Sequence, residues 1–327
     1  MVDVMDIVTP RDKQYPEQAV AAMARLNALI DSDPVLSGAQ IHEVLRLVPG
    51  RRAIIAGQFA GQPAVFRVSL HPDETTAFAK EWQELCRAQP FMCTGTAQIA
   101  TPLAISGAKD VIVVARAPGD PLLVHITGLP KSDRIQPVVA AAAWLERYQD
   151  ASVAVGAIGW KKWFTKAESA LEQQTHPELQ AVEARVLRRM KTLGRRLDHL
   201  KGWRMAIGHG DFHPNNLILG PDHILRGIDL GGSGRIPIYK DMARFLTHMA
   251  RRGVMLSDAR RFGVDATAFD AFVNASHLDQ SEAELCLPFM ICFETLFRVE
   301  HPDMPARRVT HAVRMAKALL ADLRGMD

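Results

Sequence analysis

Three oxygen-bearing side chains, Asp211, Asn216 and Asp229, fall within one short stretch, IGHGDFHPNNLILGPDHILRGID, residues 207–229. Leu217 to Leu219 and Ile224 to Ile228 are apolar runs separated by the turn residues Gly220, Pro221 and Asp222, which predicts a hairpin. Asn216 and Asp229 are equidistant from its centre, between Asp222 and His223. In a regular register they face each other at the open end, with Cα atoms roughly 4.5–5.5 Å apart. A carboxylate and an amide oxygen side by side suit a hard cation such as Mg²⁺, which prefers oxygen ligands and keeps waters that a phosphate can replace. Asp211 precedes Asn216 by five residues in the loop entering the hairpin. A carboxylate there could take the proton of an attacking hydroxyl while the metal holds a phosphate.

Such a hairpin needs a scaffold. Residues 17–30 read as a helix with Ala19, Met23, Leu26 and Ile30 on one face, ended by Asp31-Ser32-Asp33-Pro34. The runs IHEVLRLV, AIIAG and PAVFRVSL follow, broken at Pro49-Gly50 and Gly61-Gln62-Pro63. They predict three antiparallel strands. A helix near 73–88 comes next, then the apolar strand in DVIVVARAPGD. Beyond 116–120 the chain turns helical. Val138, Ala142, Leu145 and Tyr148 share one face, and 178–200 form a longer helix with the stripe Leu179, Val182, Val186, Met190, Leu193, Leu197 and Leu200. Thr175 and Glu178 have capping-box spacing at its start, and the arginines of its other face read as solvated.

The bulk numbers narrow the class. A chain of 327 residues is long for one core and suggests two lobes. With 48% hydrophobic and 23% charged residues it reads as an ordinary globule, and a net charge of +3 is too small to imply a nucleic-acid or acidic-membrane partner. The opening MVDVMDIVTPRDK lacks a basic-then-apolar leader pattern, and no apolar run reaches membrane-spanning length. Cys86, Cys93, Cys286 and Cys292 show no C-x-x-C spacing, which fits reduced thiols in a cytoplasmic protein.

The pattern H-G-D-x-x-x-x-N followed by I-D resembles the catalytic segment of the aminoglycoside phosphotransferase and choline kinase family, relatives of protein kinases. The resemblance implies an α+β, protein-kinase-like two-lobed fold: an N-lobe of antiparallel sheet plus helix over residues 1–116, with 1–40 as a helical extension, and a mainly helical C-lobe over 117–327. It implies transfer of the γ-phosphoryl group of ATP or GTP, with Mg²⁺, to a hydroxyl of a small molecule. By position Asp211 resembles the catalytic base, Asn216 and Asp229 the Mg²⁺ ligands, and His209 the structural histidine of the catalytic loop. Asp229-Leu230-Gly231 resembles D-F-G, and Asp241-Met242-Ala243 the D-L-A helix start whose aspartate braces that loop. Arg67 occupies the place of the strand lysine that contacts phosphates. Its acidic partner is Glu81 or Glu84. Gly50 stands where the phosphate-covering loop should be, or is a hairpin glycine. Val114 to Arg116 resemble the hinge that hydrogen-bonds a purine, or are a core strand.

Other residues carry two readings. His213 is a loop-shaping residue beside the base, or a metal ligand. Glu282, Glu284, Glu294, Glu300 and Asp303 are solvated helix charges, or the acids of a pocket for a cationic acceptor. Trp144, Trp163 and Trp203 read as core. As alternatives to a kinase, Asp211-Phe212-His213 with His209 and Asp229 suggests a metal-dependent phosphoesterase, and the sparse glycine loop suggests a catalytically silent kinase-like binding protein.

Overall fold

The computed structural model describes residues 16–325. The segment on which the leader expectation rests, and the first part of the helical extension, lie outside them. The chain divides into two units, one running to Asp120 and including Ile218–Ser233, the other made of Pro121–Leu217 and Gly234 onward.

The first unit opens with α1 (Pro16–Ser32), followed by β1 (Gln40–Val48), β2 (Arg52–Phe59) and β3 (Gln62–Ser69). After α2 (Glu74–Met92) come β4 (Ala97–Ile99), β5 (Pro102–Ile105) and β6 (Val111–Ala115). The five-stranded sheet has the order β1-β2-β3-β6-β5, and its pairs are antiparallel. Leu26 of α1 joins Ile55, Phe66, Val68 and Val113 in its core. Because strand side chains alternate, Ala64, Phe66 and Val68 turn to this core and Arg67 turns to the opposite face. A second sheet runs β4-β11-β10-β7, with β7 (Asp120–Pro121), β10 (Leu217–Leu219) and β11 (Leu225–Gly227). β10 and β11 are the predicted hairpin, and β11 pairs β4 in parallel.

The second unit is mainly helical. It holds α3 (Leu122–Gly128), α4 (Ile135–Asp150), β8 (Ala154–Gly156), α5 (Trp160–Leu171), α6 (Pro177–Leu197) and β9 (Trp203–Gly208). It resumes with β12 (Gly234–Pro237), α7 (Tyr239–Arg251), β13 (Arg260–Arg261), β14 (Val264–Asp265), α8 (Ala266–Ala275), α9 (Leu287–Phe297) and α10 (Ala306–Arg324). The small sheet β12-β9-β8 is antiparallel. Every residue of α9 from Leu287 to Leu296 is buried, the mark of a helix enclosed on all sides. Helix α7 is buried almost throughout, yet it carries Lys240, Asp241, His248 and Arg251. Buried polar groups require partners, and Asp241 and Lys240 find theirs in the loop after β9. The three tryptophans Trp144, Trp163 and Trp203 are core residues, as expected.

One local expectation fails. The Thr175–Glu178 capping box does not form: α6 starts at Pro177 with His176 at the cap position and no side-chain cap bond. Proline is preorganised for the first helical position, so it shifts the cap one residue past Thr175. Glu178 pairs with Lys317 instead.

Helices α5 and α6 meet where Gly194 faces the indole of Trp160. An added Cβ there would lie 2.4 Å from a ring carbon. Gly194→Ala gains about 1 kcal/mol of helix propensity but overpacks a buried ring, a cost of about 1–3 kcal/mol. Urea unfolding should therefore show a net loss of stability. A variant more stable than wild type would contradict this packing.

Candidate active site

In the first unit, Arg67 is 7% exposed. It donates to Glu81 Oε1 at 2.5 Å and to Asp229 Oδ1 at 2.9 Å. Glu81, one of the two acids offered for this pairing, is the partner; Glu84 bonds Arg87. Burial pushes the Glu81 carboxyl up to about 7 against the opposing pull of Arg67. Asp229 sits in the left-handed region at φ +62°, a conformation uncommon for non-glycine residues and concentrated at functional sites. Two residues on, a Cβ at Gly231 would come within 3.3 Å of Glu81 Oε2. The Asp-Leu-Gly element thus lies directly against the Arg67–Glu81 pair.

Two expectations for this unit change. Gly50 occupies a tight β1–β2 turn at φ +66°, with Arg51 N–H donating to Val48 C=O at 3.0 Å. A connection this short is a hairpin turn and not an extended glycine-rich flap. At the segment expected to be the hinge, Ala115 N–H donates to Thr101 C=O at 2.8 Å and Arg116 N–H to Pro63 C=O at 3.0 Å. Val114 is paired on both sides, to Val65 and Pro102. The sheet has already used the Ala115 and Arg116 amides, so those two donors are not free for a purine.

In the second unit the catalytic-loop residues converge. Strand β9 delivers His209 and Gly210, whose amides both donate to Asp241 at the start of α7, at 2.7 and 3.0 Å. Asp241 is fully buried, and burial raises its carboxyl while Lys240, His209 and these amides oppose the rise. Lys240 also donates to the Gly210 carbonyl. Phe212 is fully buried and stacks on Trp144 with centroids 5.6 Å apart, which pins the loop from its other side. Asn216 Nδ2 donates to the Asp211 carbonyl at 3.0 Å. That bond leaves the Asn216 side-chain oxygen as the group available to a ligand. Asn216 in this unit and Asp229 in the first each carry a side-chain oxygen, a donor type that Mg²⁺ accepts. Among the described residues no group of three His, Cys, Asp or Glu side chains comes together as a metal centre.

Sequence reasoning missed the surroundings of Asp211. Its Oδ1 accepts from Arg244 Nε at 2.8 Å and from Arg298 at 3.0 Å, and His213 Nε2 lies 3.4 Å from Oδ2. Burial alone would raise the Asp211 carboxyl. The His213 hydrogen bond and the two guanidinium charges outweigh it and hold the group well below the usual carboxylate range. Burial pushes the His213 imidazole below its ordinary value, and its ring stacks on His248 at 4.4 Å. The helix acids offered for a cationic pocket have other partners. Glu282 bonds Arg204. Glu294 bonds Arg298 and faces Lys240, and Glu300 bonds Arg251 and Arg308. Glu284 contacts Gln280, and Asp303 is exposed.

A sheet-and-helix unit and a mainly helical one, carrying these two clusters, define the α+β protein-kinase-like plan. The comparisons agree. A model of the phosphotransferase enzyme family (APH) matches residues 55–275, so the chain belongs to that family. Among solved structures, the GDP complex of an aminoglycoside 2'-phosphotransferase-IIIa is 14% identical, covering 92% of this chain and 99% of that one at a TM-score of 0.61. An aminoglycoside phosphotransferase from Alicyclobacillus acidocaldarius is 15% identical, with coverages of 92% and 95% and a TM-score of 0.55. An amicoumacin kinase in complex with AMP-PNP and Ca²⁺ is 13% identical, with coverages of 95% and 100% and a TM-score of 0.52. At these identities the likeness is one of fold. A search of curated proteins returns no match. Among the described residues no helix is long and apolar enough to cross a membrane.

The Asp211 environment has a consequence for stability. Its folded-state value lies below the unfolded value of about 3.9, so the stabilisation is complete above that value. It is lost as pH falls through the folded value. Thermal unfolding followed from about pH 5 down to about pH 2 should show wild type losing more stability than Asp211→Asn. Parallel curves would refute the depressed carboxyl.

Proposed function

We propose that this chain is a Mg²⁺-dependent kinase that moves the γ-phosphoryl group of ATP or GTP onto a hydroxyl of a small molecule. The observation that carries the reading is the half-buried Asp211 carboxylate, presented by a loop whose amides are bound by buried Asp241. The family supports phosphotransfer, and the GDP and AMP-PNP complexes of structural neighbours support a nucleoside triphosphate of either base.

In this reading Arg67 holds triphosphate oxygens, and Glu81 and Asp229 fix its guanidinium. Arginine is always charged and binds phosphate through a planar fork. Its Nε has no protein partner among the described residues. Asn216 and Asp229 would hold Mg²⁺, which when bound neutralises phosphate charge. Asp211 orients the acceptor hydroxyl and takes its proton as the oxygen bonds to the γ-phosphorus. The bond from that phosphorus to the bridging oxygen breaks, and its electrons leave with the diphosphate. His209 and Asp241 keep the loop in place. Gly50 is read as a turn residue, and Val114 to Arg116 flank the base with carbonyls and apolar surface.

A phosphoesterase would need a ligand cluster around Asp211 and His213, but arginines and the stacked His248 fill that space. The exposed, free thiols Cys86 and Cys93 suit a reducing, cytoplasmic setting.

Asp211→Asn should lower kcat by about 10²- to 10⁴-fold, with nucleotide affinity retained. Asp229→Asn should abolish Mg²⁺-dependent nucleotide binding in calorimetry, and Arg67→Ala should raise the nucleotide KM. Wild-type turnover in Asp211→Asn, or an unchanged KM in Arg67→Ala, would remove those residues from their roles.

A further inference from the structure

The second unit contains a cavity of about 720 Å³ whose wall includes Arg244 and Arg298, the two residues bonded to Asp211. A volume of that size suits a drug-sized small molecule. Its charge is one-sided. Lys166, Arg244, Arg251, Arg252, Arg298 and Arg308 line it, and Glu300 is the carboxylate among the lining residues. Glu300 already bonds Arg251 and Arg308. Arg252 donates to the His248 carbonyl and makes no ion pair with an acid among the described residues. Crowding supports this: burial, Arg308 and Arg244 push Arg252 down to about 9.

A second, separate observation points into the same space. His248 lines the cavity and is 3% exposed, yet neither ring nitrogen has a protein partner among the described residues. Buried polar atoms without partners call for a ligand. The lining cations outnumber the carboxylates that bond them, and Arg252 has no acid partner among the described residues, which calls for an anion.

Resting on the kinase reading, we infer that this cavity is the acceptor subsite and that the acceptor is an anionic hydroxyl compound bearing a phosphate monoester or carboxylate. The hydroxyl reaches Asp211 while the anionic group meets Arg252, Arg308 and Lys166. Cationic, aminoglycoside-like acceptors are repelled. Arg244 and Arg298 both line the cavity and bond Asp211, so an incoming oxyanion competes with Asp211 for them. A phosphate monoester is favoured over a carboxylate because it brings a second charge and a third oxygen to a wall with several forks.

The test uses the full chain and matched probes: glycerol, glycerate, glycerol 3-phosphate, glucose, glucose 6-phosphate, inorganic phosphate and kanamycin. Binding is measured by calorimetry without nucleotide, and turnover by acceptor-dependent diphosphate release with Mg²⁺. Glycerol 3-phosphate and glucose 6-phosphate should bind at least about 10-fold more tightly than their neutral partners, as expected for a charged hydrogen bond. Inorganic phosphate should compete with them. Glycerate against glycerol 3-phosphate separates carboxylate from phosphate. Arg252→Gln and Lys166→Gln should each weaken oxyanion binding several-fold. Lys166 is exposed, so its variant tests the site without threatening the fold, and both variants separate this cavity from phosphate held at Arg67. Kanamycin or the neutral compounds binding as well as the anions, no saturable phosphate binding, or no effect of either variant would overturn the inference. Oxyanion binding that both variants weaken, with no diphosphate release from any probe, would uphold the subsite and tell against the kinase reading.

Discussion

The buried carboxylate of Asp241 accepts hydrogen bonds from two consecutive backbone amides, His209 and Gly210, and the site of the second unit depends on that arrangement. Taking a carboxylate out of water costs several kcal/mol. Here it is offset by two charge-assisted amide bonds and the neighbouring Lys240. The same bonds fix the direction in which the chain leaves β9. Phe212, locked in the aromatic stack with Trp144, prevents the loop from relaxing. Asp211 lies between these anchors and is held out as the half-exposed residue of a rigid turn. The first unit solves a related problem differently: Arg67 stands on the far face of a strand whose other face is core, and Glu81 and Asp229 fix its head group.

The second theme is charge. A carboxylate that accepts a proton works best with a value near the working pH, yet Arg244, Arg298 and His213 hold Asp211 far below it. The arrangement favours Asp211 as an orienting acceptor for the hydroxyl while its arginines remain in place. An anion entering the adjoining cavity draws on the same guanidinium groups. In the proposed reading, acceptor binding and the basicity of Asp211 are coupled through Arg244 and Arg298. The fold is shared with the aminoglycoside phosphotransferases, and the charged cavity wall is built from α5, α7, α10 and the segment after α9.

Much of this was legible in the sequence for identifiable reasons. The three-strand run before a helix, the placement of Arg67 and the loop HGDFHPNN depend on local spacing, which a linear reading captures. Glu81 could be offered because it lies on the helix directly after that strand. Arg244, Arg298 and His248 could not be found this way. They come from α7 and the residue after α9, and their convergence on Asp211 and His213 is purely tertiary. Isolated arginines on helices look like solvated surface until packing shows which are enclosed. The helix acids misled for the same reason: Glu282, Glu294 and Glu300 each look available in the sequence, but each already bonds a specific arginine. Thr175 failed on a local detail, since Pro177 fixes where α6 begins. At the hinge, register decides which groups are left: the Ala115 and Arg116 amides are taken by the Thr101 and Pro63 carbonyls.

The central claim is that this chain phosphorylates a hydroxyl on an anionic small molecule. It is tested most directly by separating a metabolite extract on ion exchangers into anionic, neutral and cationic fractions. Each is incubated with the protein, Mg²⁺ and nucleoside triphosphate labelled at the γ position, and the labelled compounds are identified by mass spectrometry. The account predicts that label enters a compound of the anionic fraction. Label appearing only in neutral or cationic compounds, or only as free phosphate, would contradict it.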